Sequence, residues 1–299
     1  MKENNIASVR ARLKNVAIRE GKPFDFILML YFIERLLYRL SVSRYNEKFV
    51  LKGGLLLYTI MNEQARATKD IDFLAKQMES NLDELKKVFA EIASIDLEDA
   101  IMYDTESITS ERIKEDADYE GIRIKLTAYL GNARKVLQFD IGFGDVIVPK
   151  PQKIKYPSLL EMESPTIQAY SKESVISEKF EAMLYRAEAN SRMKDFYDIY
   201  SLCINYDFDG QVLYEAIKQT LKHRGTTFSQ NPVVFTEEFS LNKDKHTQWN
   251  AFRRRTSVAD GVEFNQVVEI IRTFLSPIFE AIMTESEFSG QWRCLERSW

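Results

Sequence analysis

The sequence predicts an α+β protein: a mixed β-sheet core with flanking helices, followed by a helical C-terminal domain. Three observations predict it. Residues 1–48 carry apolar side chains at helical spacing. From residue 49 the period changes to two-residue alternation, with glycines at the breaks. Beyond a proline-rich stretch, helical spacing returns. The expected boundaries are 1–48 for N-terminal helices packing on the core, 49–156 for the core, and 157–299 for the helical domain.

The elements follow in order. Ile6, Val9, Leu13, Val16 and Ala17 make an apolar stripe, with Arg10, Arg12, Lys14 and Arg19 around it. Gly21-Lys22-Pro23 breaks that pattern, and a more hydrophobic helix runs from Phe24 to Leu40. Phe49-Val50-Leu51 reads as a short strand, Gly53-Gly54 as a turn, and Leu55 to Asn62 as a helix. Asp70 to Leu74 is the next strand and Asn81 to Ala93 an amphipathic helix. Ile122 to Tyr129 alternates cleanly, and Lys135 to Ile141 pairs with it through a Gly131-Asn132 turn. Val146 to Val148 extends the sheet. Pro149, Pro151, Pro157 and Pro165 mark the joint between domains. Helices are then expected at 174–189, 193–204, 210–221 and 262–283.

Composition excludes several classes. At 299 residues, 45% of them hydrophobic, the chain has ample material for a core. The net charge of −4 argues against a globally basic nucleic-acid binder, although a local patch suffices for phosphate contact. Two cysteines, Cys203 and Cys294, and two histidines fit no zinc spacing. The longest apolar run, Phe26 to Ile33, is too short to span a bilayer, and the N-terminus does not read as a secretory signal. The expected location is the reduced cytoplasm, away from membranes.

Chemistry concentrates in Lys52-Gly53-Gly54 and Asp70-Ile71-Asp72, with Arg66 and Thr68 just before the latter. Strand alternation places both carboxylates on one face, about 7 Å apart. A glycine turn that opens a helix offers N–H groups to an anion. Asp140, alternating with Phe139 and Ile141, can join the same polar face as a third carboxylate. Three carboxylates from neighbouring strands can hold two Mg²⁺ ions, which activate an attacking hydroxyl and stabilise leaving pyrophosphate. Each piece alone is commonplace: an isolated Asp-x-Asp usually caps or solvates a strand, and a glycine pair is often a plain turn. Lys179 lies on the apolar seam of Ile176, Phe180 and Met183, where a lysine either snorkels outward or meets an anion. Asp195, on the next helix, can orient Lys179, serve the reaction directly, or simply favour a helix start.

Taken in order, Lys52-Gly53-Gly54, Arg66-x-Thr68-x-Asp70-Ile71-Asp72, Asp140, Lys179 and Lys194-Asp195-Phe196-Tyr197-Asp198 resemble the AbiEii/AbiGii toxin family over roughly residues 45–205. These are nucleotidyltransferases of bacterial abortive-infection and toxin–antitoxin systems. The resemblance implies a nucleotidyltransferase-like core using Mg²⁺ or Mn²⁺ to move a nucleotide from an NTP to an acceptor. In relatives that acceptor can be tRNA, whose modification blocks translation. It also implies Asp70, Asp72, Lys179 and Asp195 as catalytic residues, and Asp70, Asp72 and Asp140 as metal ligands. Lys52, Gly53, Gly54, Arg66 and Thr68 would surround the nucleotide. A winged-helix antitoxin is the implied partner. Two positions depart from the broader pattern: Gly54 stands where serine is frequent, and Lys194 where arginine is.

Combined with Lys179 and Asp195, the carboxylates suggest a cleft between two halves of the chain. Candidate RNA-contacting clusters are Lys150, Lys153 and Lys155, then Lys222 and Arg224, then Arg253-Arg254-Arg255, each equally readable as solvated surface. Competing readings transfer the nucleotide to a protein or small-molecule hydroxyl, or keep only nucleotide or partner binding. A glycosyltransferase fits the glycine turn poorly.

Overall fold

The alternation around Gly131 becomes a long hairpin of a seven-stranded sheet in the computed structural model, which describes residues 2–61, 68, 70–116, 119–256, 258–259 and 261–299. The chain divides into two units, one of residues 1–60, 68–144 and 152–169, the other of 61–67, 145–151 and 170–299.

The first unit begins with α1 (Lys2–Glu20) and α2 (Phe24–Val42). Strand β1 (Phe49–Lys52) runs straight into α3 (Gly53–Met61), followed by β2 (Asp70–Ala75) and α4 (Leu82–Ala93). Then come β3 (Met102–Asp116), β4 (Tyr119–Leu130), β5 (Ala133–Phe143), β6 (Gln152–Lys155) and β7 (Thr166–Ala169). Their spatial order is β3-β4-β5-β2-β1-β7-β6. The β2–β5 and β1–β7 pairs are parallel and the others antiparallel, so the sheet is mixed, as expected. Leu130 pairs with Ala133 across the turn, where Gly131 takes a φ of 58° that a side chain would resist.

One face of the sheet is apolar. Phe49, Phe73 and Phe139 meet Leu36, Leu37 and Leu40 of α2 and Phe89 and Ile92 of α4. The Phe89 and Phe139 rings lie 4.9 Å apart. The side chain of Asn81 accepts hydrogen bonds from the N–H groups of Asp83 and Glu84, which fixes where α4 starts. Helix α2 also carries buried charge. Arg39 grips Asp99 at 2.6 and 3.1 Å, and Arg35 reaches the same carboxylate at 3.3 Å. Glu34 accepts from the Leu159 N–H at 2.8 Å and the Ser158 hydroxyl at 2.9 Å. These contacts tie the connections around residues 99 and 159 to the helix.

Three differences from the sequence reading have physical causes. Strand β3 was not expected: it is a polar edge strand whose register shifts between Asp104 and Thr109, so its buried Tyr103 and Ile108 do not keep an even spacing. Strands β6 and β7 occupy the proline-rich stretch expected to be a joint. Pro157 and Pro165 flank the two strands, and the carbonyl of Pro165 accepts from the Tyr156 N–H at 2.8 Å. Residues 146–148 form no strand; the Val148 carbonyl instead accepts from the Ser174 hydroxyl at 2.9 Å.

The second unit is mostly helical. It contains α5 (Lys172–Arg186), α6 (Met193–Asn205), β8 (Phe208–Asp209), α7 (Gly210–Arg224), α8 (Glu237–Ser240), α9 (Lys243–Thr256), α10 (Phe264–Met283) and β9 (Gln291–Trp292). Ser171 and Asp209 cap α5 and α7 through their side chains, and Gly225 ends α7 in the left-handed region. Aromatic rings fill the interior: Phe180 packs on Phe235 and Phe279, and Phe196 on Phe239 and Phe264. Trp292 Nε1 donates to the Cys203 carbonyl at 2.6 Å, and Trp299 stacks on Phe274.

Candidate active site

The second face of the sheet carries the charge. Cross-strand partners share a face, so register aligns a row of side chains: Lys52 of β1 opposite Asp72 of β2, Asp72 opposite Asp140 of β5, and Asp140 opposite Arg123 of β4. In the neighbouring row, Asp70 lies opposite Gln138, and Gln138 opposite Lys125. The Gln138 amide donates to Asp70 at 3.1 Å. The structure thus brings Asp70, Asp72, Asp140 and Lys52 onto one patch of sheet.

Gly53 explains how the patch is built. Its φ of 67° turns the chain from β1 into α3, and a Cβ there would lie 1.9 Å from Oδ2 of Asp72. The Asp72 carboxylate therefore occupies the space where a side chain would begin. Gly54 follows, buried within the first turn of α3. Thr68 donates through its hydroxyl to the Asp70 carbonyl at 3.4 Å. Arg66 lies outside the described residues.

Arg123 was not singled out from the sequence, and it occupies Asp140. Its Nε donates to one carboxylate oxygen at 2.8 Å and a terminal nitrogen to the other at 2.8 Å. This fork raises the arginine's proton affinity further, mainly through the hydrogen bonds to Asp140. The hairpin already contained the signal, since counting equally outward from Gly131-Asn132 puts Arg123 opposite Asp140.

The donor set fits a magnesium-like cation. Such ions take oxygen ligands, commonly one or two carboxylates completed by water and substrate phosphates. Asp70 and Asp72 offer that pair on one strand. Among the described residues, no group of three or more acidic, histidine or cysteine side chains gathers to hold a metal. Asp140, expected as the third ligand, instead has both oxygens in an ion pair.

In the second unit, Lys179 does not snorkel outward. Its Nζ meets Asp195 at 2.7 Å and Asp198 at 2.8 Å, and its side chain is only 12% exposed. Arg192 approaches the other oxygen of Asp195 at 2.8 Å. Burial pushes the Asp195 carboxyl up, but Lys179 and Arg192 outweigh it and hold the group below its ordinary value. Arg224 is likewise an interior cation, paired with Glu181 at 2.7 Å and Asp145 at 3.2 Å rather than offered to phosphate. Lys153 pairs with Glu47, and Arg253 donates to the Val262 carbonyl at 3.0 Å. Lys150, Lys155, Lys222, Arg254 and Arg255 are exposed.

A family model described as nucleotidyl transferase AbiEii toxin, type IV TA system, matches residues 35–270. The chain belongs to the AbiEii family. Membership makes it a nucleotidyltransferase-type toxin and implies an antitoxin partner. Two solved structures are similar to it, both at 13% identity. JHP933 from Helicobacter pylori has a TM-score of 0.46, covering 84% of this chain and 90% of its own. A candidate nucleotidyltransferase from H. pylori has a TM-score of 0.45, covering 85% of this chain and 95% of its own. No curated protein matches. Within the AbiEii chain, no helix among the described residues is long and apolar enough to cross a membrane.

Proposed function

We propose that this AbiEii protein transfers a nucleotide from an NTP to an RNA acceptor, tRNA in particular, and thereby stops translation. The observation that carries the reading is the Asp72 carboxylate seated against Gly53, on the same face as Asp70, at the start of α3. The reading assigns Asp70 and Asp72 to a divalent cation, Mg²⁺ or Mn²⁺. When bound, that ion supplies charge neutralisation on the phosphates and lowers the proton affinity of an attacking hydroxyl.

The chain's own residues do the rest. Gly53 lets the backbone approach a phosphate and fixes the Asp72 carboxylate. Lys52, in register with Asp72, adds positive charge at the end of β1. Gln138 orients Asp70 through its amide. For the second unit, the proposal is that Lys179 offers charge to the nucleotide and that Asp195 and Asp198 hold its Nζ in place. The tRNA acceptor and the metal rest on family resemblance and on the chemistry of the donors.

The test supplies each labelled NTP in turn with Mg²⁺ and total tRNA, total cell protein or small hydroxyl compounds as acceptors. Label on the RNA is the expected result. Label confined to protein or to a small product would move the acceptor assignment, and no labelled product would overturn the transferase reading.

A further inference from the structure

Resting on the metal reading above, we infer that Arg123 is a built-in substitute for a second metal ion, so that the site takes one divalent cation rather than two. A two-ion site needs a carboxylate for the second ion beside the pair that holds the first. Asp140 is the side chain in register with Asp72 across β2 and β5. Both its oxygens already receive N–H groups of Arg123 at 2.8 Å.

The pair is not a loose surface contact. The Asp140 side chain is 13% exposed and that of Arg123 30%, so solvent screens it only in part. A guanidinium does not shed its proton, so it cannot become neutral to admit a neighbouring cation. A dication on Asp140 would sit against a fixed like charge. Glu111 lies opposite Arg123 on the outer side, and it pairs with Lys125 at 3.1 Å. Arg123 is therefore held from one side by Asp140 and flanked on the other by a carboxylate that has its own partner. Asp70 and Asp72, with water and phosphate oxygens, complete the shell of one ion. Arg123 acts here as a positioning residue: it fixes the plane of Asp140 and presents a permanent positive charge in the row that contains Asp72.

The test counts Mn²⁺ bound to the full chain by electron paramagnetic resonance, with a non-hydrolysable NTP analogue present. One ion per wild-type chain is expected, rising to two in Arg123→Gln and staying at one in Arg123→Lys, which keeps the charge. Thermal melting shows that the variants are folded. Two ions in the wild type, or no gain in a folded Arg123→Gln protein, would overturn the inference while leaving the metal reading standing. No Mn²⁺ bound by the wild type would overturn the metal reading and this inference together. If Arg123→Gln fails to fold, the wild-type count alone decides.

Discussion

Gly53 and Asp72 occupy one space: a Cβ on the first would lie 1.9 Å from Oδ2 of the second. The tightness of this contact ties the backbone turn to the placement of a carboxylate.

Replacing Gly53 by alanine is expected to damage both. The residue sits at a φ of 67°, and strain plus the clash should cost about 1–3 kcal/mol. Displacing Asp72 by about 1 Å should lower nucleotide transfer on the order of 100-fold. Denaturant titration of Gly53→Ala, Asp72→Ala and the double variant checks the contact. The two losses should be non-additive, because removing the Asp72 carboxylate relieves the two closest contacts and leaves only its Cβ, 2.8 Å away.

The Arg39–Asp99 pair predicts a purely structural effect. Both side chains are 2% exposed, and the contacts are bidentate. Arg39→Met strands much of the Asp99 charge and should destabilise the protein by about 3–5 kcal/mol. Arg39→Lys should recover only part of that, since an ammonium lacks the planar fork. Urea unfolding of the three proteins gives the comparison.

Asp195 predicts a pH dependence. Its carboxyl is held below the ordinary value of 3.8, so the folded state binds its proton less readily than the unfolded state. Its stabilising contribution is therefore fully present above that ordinary value and is lost as pH falls through the folded-state value. Melting temperature should drop more steeply below pH 4 in the wild type than in Asp195→Asn. That variant should be less stable at neutral pH, because Lys179 and Arg192 lose their shared partner.

The legible parts of this chain share a cause: local periodicity that burial then confirms. Asp70 and Asp72 could be placed on one face because β2 alternates over residues 70–73, and Phe73 and Phe139 turn out to stack on the opposite face. Helix α5 and helix α6 show themselves by apolar spacing, and Lys179 is conspicuous as a break in it. What was not legible depends on pairing between distant segments. Strand β3 hides because an edge strand alternates weakly and its register slips. The binding of Arg39 to Asp99 leaves no trace in helical spacing. The pairing of Arg123 with Asp140 required taking the hairpin register one step further, from which strands pair to which residues face each other. The clustering of Lys179, Asp195 and Asp198 follows from one helix packing on another, and residue spacing fixes only half of that.

On the proposed reading, Asp72 and its cation drive nucleotide transfer to RNA. The most direct measurement is the rate of label transfer from an NTP to total tRNA by wild-type protein and by Asp72→Asn, with and without EDTA. A metal ligand worth several kcal/mol in the transition state corresponds to a loss of at least about 100-fold. RNA labelling by the wild type, a loss of that size or more in folded Asp72→Asn, and no labelling in EDTA are the expected results. Undiminished labelling by Asp72→Asn, or labelling that survives EDTA, would contradict that reading.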